Sequence, residues 1–171
     1  MQLEQSSGKI SGVNLLVGLL VRFPEILIIN YNRAEAFFII SFMLKANIEQ
    51  ERYMRFREHF SACLKAYYGI LEQEQALPAI GKRFVKAWTL LQVTFSKKSI
   101  SFEEINLVNS LILNEFQKEV IVDTRASSHF GAEKGTYGED FIECLLPEKK
   151  KQEQENLFAF REAGKVYIFD K

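Results

Sequence analysis

The sequence predicts an α+β domain: a mixed, mostly antiparallel sheet of about six strands with helices packed on it. Three observations carry that expectation. Hairpin patterns stand near both ends of the chain, at 26–44 and 157–169. Segments of helical period lie before and between them. Strands and helices do not strictly alternate, as a doubly wound parallel sheet would require. The 171 residues suit a single domain, read as 10–171 behind a frayed N-terminus at 1–9. Fifteen Phe, six Tyr and one Trp supply a core that, at this length, needs no metal or disulfide staple.

The first helix is expected from about Ser11 to Phe23, closed by Pro24, because the residue ahead of a proline avoids the α region. Ile26–Tyr31 and Ala36–Leu44 are rich in β-branched and aromatic residues and read as a hairpin around Asn32-Arg33-Ala34-Glu35. In its second strand Phe38, Ile40, Phe42 and Leu44 share one face. Phe37, Ile39 and Met43, with Ser41, share the other. A strand apolar on both faces is covered on both, by helices or by a partner chain. Phe37, Ile39 and Met43 are therefore the interface candidates.

The strongest helix runs from about Ile48 to Gln73, with Asn47 as its expected N-cap. Tyr53, Phe56, Phe60, Cys63, Leu64, Tyr67 and Leu71 recur at spacings of three and four, forming one apolar stripe. Glu51 stands four residues ahead of Arg55, the favourable order for an ion pair. Glu74–Gly81, with Pro78, reads as a loop, and Trp88–Phe95 as a strand. Ser101 and Glu104 form a capping box, stapled by Ile100 and Ile105, that opens a helix to about Phe116. Glu119–Asp123 reads as a short strand.

A polar loop, 123–140, follows. Thr136 and Glu139 open a short helix carrying Phe141, Ile142, Leu145 and Leu146, which Pro147 ends. A charged linker, 147–156, leads to the closing hairpin Leu157–Arg161 and Lys165–Phe169, turning at Glu162-Ala163-Gly164. The opening helix–strand–strand–helix–strand order also fits a ferredoxin-like arrangement lacking its first strand. That analogy of fold carries no function.

Function is less legible. Lys plus Arg equals Asp plus Glu, at 22 each, so the basic excess of a nucleic-acid binder is missing. Lys82-Arg83, Lys97-Lys98 and Lys149-Lys150-Lys151, with Phe84 and Trp88 as stacking groups, would be its scattered contacts. Neutrality also favours self-association. Cys63 and Cys144 lack metal-ligand spacing to His59 or His129 and suit a reducing cytoplasm. The apolar run Val13–Val21 is too short to span a bilayer and has no cleavage site behind it, so neither a membrane segment nor an export signal is read.

The loop 123–140 is the place where a small anionic ligand or nucleotide would bind. It gathers Arg125, Ser127, Ser128, His129, Lys134 and Gly135 between a strand end and a helix start, where backbone N–H groups and cations favour phosphate or carboxylate. Its glycines match neither the dinucleotide fingerprint nor the P-loop. No catalytic set, metal site or cofactor motif is read. The leading expectation is a non-enzymatic interaction or regulatory domain that forms a homo-oligomer or docks a protein partner. A small-anion-binding protein and an RNA-binding accessory protein are the alternatives.

Overall fold

The computed structural model describes residues 3–32, 34–96, 100–122 and 156–170, with the backbone alone at 3–12 and at Asp170. Helix α1 (Leu3–Arg22) leads into β1 (Ile28–Asn32) and β2 (Phe37–Leu44). Helix α2 (Gln50–Ile70) then precedes β3 (Ala79–Val85) and β4 (Trp88–Phe95). Helix α3 (Phe102–Phe116) and the hairpin of β5 (Asn156–Glu162) and β6 (Lys165–Asp170) complete the order. The strands form one six-stranded sheet in the order β3-β4-β2-β1-β5-β6. All five pairings are antiparallel.

The α+β class is as expected, yet two elements exchange places. Ala79–Val85, read as loop as far as Gly81, is an edge strand. Pro78 precedes it and Gly81 sits within it, and both are tolerated at an edge, where one side makes no ladder bonds. Conversely, Glu119–Asp123 is no strand as far as it is described. The amides of Glu119 and Val120 bond back to Phe116 O, closing α3, and only an isolated bridge joins Val120 to Leu44. Helix winding takes the Glu119 donor that a longer ladder would use, while Ile121 N still reaches Met43 O.

Helix boundaries moved too. The backbone of α1 is helical from Leu3, where Leu3, Glu4, Gln5 and Lys9 are good helix formers. Helix α2 is capped by Glu49, with no side-chain bond, rather than by Asn47. Ile48 is held in the core and its amide donates to Thr89 Oγ1 at 3.1 Å, so the chain cannot begin to wind until Glu49. At α3 the N-cap half of the box is seen: Ser101 Oγ accepts from Glu104 N at 3.1 Å, while the Glu104 carboxylate accepts from Tyr68. Ile105 is buried in the core and Ile100 packs against it.

Side-chain period divides the sheet into two unlike faces. Ile29, Phe38, Ile40, Phe42, Leu91, Val93, Phe95, Leu157 and Ala159 face all three helices. They pack with Leu16, Leu19 and Leu20 of α1, Phe56, Phe60 and Leu64 of α2, and Ile105, Val108, Ile112 and Phe116 of α3. Phe116 meets Phe56 edge-on at 4.9 Å. Arg52 of α2 lies over that ring and clamps the end of α3, bonding Glu115 Oε1 at 2.8 Å and Glu119 Oε1 at 2.7 Å. Those two carboxylates push the guanidinium pKa still higher.

Candidate functional site

The other face of the sheet carries a second apolar cluster: Leu27, Ile28, Met43, Val85, Leu90, Phe158 and Phe160. No described helix contributes to it. Met43 is fully buried there, while Phe37 and Ile39 are half-buried on the same face. The two-faced apolar character of β2 is thus matched by a cluster on each side. Exposed apolar surface on this second face lies farther out, on β6. Tyr167 is 38% and Phe169 49% exposed. Both rings stack almost flat on Phe160, at 5.1 and 5.8 Å between centroids.

The two edges of the sheet are finished differently. On β3, Val85 and Trp88 flank the two-residue turn Lys86-Ala87, so alternation of ladder bonds turns the N–H and C=O groups of Ile80, Lys82 and Phe84 outward. That edge is guarded. Tyr53 of α2 donates its hydroxyl to Ile80 O at 2.9 Å, and burial raises the Tyr53 pKa. Lys82 Nζ donates to Ile48 O at 2.9 Å and lies 5.0 Å from the rings of Tyr53 and of Phe84. Charged residues and covered polar groups are how natural sheets block edge-to-edge pairing. Lys82 and the adjacent Arg83 point to opposite faces, so this basic pair does not form one patch.

On β6 the same logic identifies the outward groups, which the described residues leave uncovered. Ala163 and Gly164 both take positive φ, 47° and 75°, the signature of a type I′ two-residue hairpin between Glu162 and Lys165. Glu162 and Lys165 then exchange bonds, as do Phe160 with Tyr167 and Phe158 with Phe169 in the observed register. The amide of Arg161 donating to Leu27 O at 3.0 Å confirms this phase, since Arg161 bonds toward β1. Val166, Ile168 and Asp170 therefore present their backbone donors and acceptors away from the sheet. No described residue covers them with a hydrogen bond of the kind found on β3.

One strand inward, on the helix-covered face, stands Arg161, 8% exposed. Its Nε and Nη2 are buried without an acceptor among the described residues. A buried cation left so is costly, because the charge is stripped of water without a compensating bond.

A cleft of about 390 Å³ opens where the end of α2, the loop after it and the start of α3 converge. Tyr67, Leu71, Gln73, Gln75, Ala76, Ser96, Ser101 and Glu104 line it. Glu104 and Tyr68 are each 3% exposed, and Tyr68 donates its hydroxyl to Glu104 Oε1. Burial, then the bond to Glu104, pushes the Tyr68 pKa up strongly, so the phenol stays a proton donor. The lining is neutral and polar around one carboxylate. Among the described lining residues there is no nucleophile paired with a base, and the described residues contain no His/Cys/Asp/Glu cluster fit for a metal.

Of the ligand candidates, Arg125, Ser127, Ser128, His129, Lys134 and Gly135 all lie outside the described residues, as do Lys97, Lys98, Lys149–Lys151 and Cys144. His59 is exposed on α2, with Nε2 3.6 Å from Cys63 Sγ one turn on. The edge groups of β6 and the buried Arg161 were not singled out from sequence. The available signal was the final strand, Lys165-Val-Tyr-Ile-Phe-Asp170, apolar on both faces at the end of the hairpin pattern.

Fold and site together define an α+β domain in which exposed aromatic rings flank the β6 edge, left uncovered by the described residues. No protein-family model matches the chain, and no curated protein or solved structure is significantly similar to it. None of the described helices is long and apolar enough to cross a membrane.

Proposed function

We propose that this chain is a non-enzymatic interaction domain that self-associates through the β6 edge of its sheet, in the reducing setting of the cytoplasm. The observation that carries the reading is the contrast between the edges. On the β3 edge Tyr53 covers Ile80 O and Lys82 sets a charge among the outward groups, whereas no described residue covers the outward backbone groups of β6 beside Tyr167 and Phe169. A strand of this kind is a template for another strand, and main-chain bonds plus flanking side chains supply affinity. The equal count of acidic and basic residues removes long-range repulsion between copies.

Light scattering on a size-exclusion column, across a hundredfold range of concentration, tests the reading. A mass that rises toward twice the 19.8 kDa chain is expected. A clean monomer throughout the micromolar range overturns it.

A further inference from the structure

Resting on that self-association, the geometry points to one register and one two-fold axis: two copies pair β6 with β6 antiparallel, Ile168 opposite Ile168 of the second copy. Three observations converge on it. An axis normal to the sheet, which extends the sheet while keeping both helix layers on one side, requires that facing residues share a face. Residue numbers across the pair must therefore add to an even total. With Val166, Ile168 and Asp170 carrying the outward groups, the register centred on Ile168 uses all three. It pairs Val166 with Asp170 of the second copy at both ends and leaves no outward group of β6 idle. The register centred on Tyr167 strands Asp170.

The centred register also treats the exposed rings consistently. Tyr167 of one copy comes opposite Phe169 of the other in a non-hydrogen-bonded pair, the closer kind. Flat against Phe160 in each copy, these rings become one aromatic strip across the joined sheets.

The third observation is Arg161. It pairs with Val166 across β5 and β6. In this register the next residue along the same row, on the same face, is Asp170 of the second copy. The row thus reads Arg161, Val166, then a carboxylate residue two strands from the guanidinium. A long arginine side chain spans that distance, and carboxylate is the partner its geometry matches. The buried Nε and Nη2, without an acceptor among the described residues of one copy, are what a site completed by the second copy would leave. The partner class is therefore a second copy of this chain.

Cysteine cross-linking reads the register, in a background where Cys63 and Cys144 are serine. Residues facing across the axis sit about 5.5 Å apart between Cα atoms, within disulfide reach, whereas Tyr167 and its own copy would be too far apart. Ile168→Cys should form a covalent dimer under mild oxidation and Tyr167→Cys should not. Ile168→Pro should give a monomer of unchanged circular dichroism, since the lost N–H points away from β5. Asp170→Lys, which leaves the edge backbone intact, should weaken dimerisation roughly tenfold or more. Cross-linking at Tyr167 instead of Ile168, or a dimer untouched by both Ile168→Pro and Asp170→Lys, overturns the register and leaves self-association standing. A monomeric wild type removes both.

Discussion

Replacing Tyr68 with Phe removes one hydroxyl from the interior and leaves the Glu104 carboxylate, 3% exposed, without that donor. A hydrogen bond to a charged group is worth about 1.5–3 kcal/mol. Against a total stability of about 5–15 kcal/mol this is a large fraction. In a domain of this size each kcal/mol shifts Tm by about 2–4 °C, so a fall of roughly 3–12 °C is expected. Combining Tyr68→Phe with Glu104→Leu should cost less than the two single changes summed, because the bond between them is lost only once.

The pair also has a pH signature. Tyr68 has a folded-state pKa raised above its ordinary value of 10.0. Its contribution is therefore present in full below pH 10 and is lost as pH rises from there toward the folded value. Urea unfolding from pH 8 to 11 should show wild type losing more stability above pH 10 than Tyr68→Phe does. A variant whose Tm lies within 1 °C of wild type, with the same slope above pH 10, would refute this account of the buried pair.

Three further outcomes follow from the packing. Phe60→Ala, deleting a fully buried ring beneath α2, should lower stability by about 3–5 kcal/mol in denaturant melts. Ser101→Ala removes the acceptor for Glu104 N and should cost about 1 kcal/mol, measured the same way. Arg161→Met should leave the melting temperature of the isolated chain equal or higher at low micromolar concentration, since it removes a buried cation with two nitrogens lacking an acceptor among the described residues. The same change should weaken dimerisation, as read by sedimentation equilibrium.

Much of the fold was legible because period and capping are local. The β2 alternation placed Phe38, Ile40 and Phe42 on one face and Met43 on the other. Ser101 and Glu104 marked the start of α3 within a residue. The misread segments were those decided by distant partners. Ala79–Val85 carries Gly81, Lys82 and Arg83 and becomes a strand because β4 pairs with it. Val120-Ile121 resembles a strand but is held to one bridge and to Met43 O by the way α3 ends. Tyr68, not Leu71, completes the buried stripe of α2, because Glu104 receives its hydroxyl. The edge of β6 was hidden for a related reason. Which strand lies outermost is a property of strand order, and strand order is not written in any local pattern.

Hydrogen exchange at the amides of β6 tests the central claim most directly. Tyr167 and Phe169 bond inward to β5 and should be protected at every concentration, whereas Val166, Ile168 and Asp170 point outward. As protein concentration rises through the association range, those three amides should pass from fast exchange to strong protection, and dilution should reverse it. If they exchange fast at all concentrations while Tyr167 and Phe169 stay protected, no second strand occupies this edge and the account of the β6 interface is wrong.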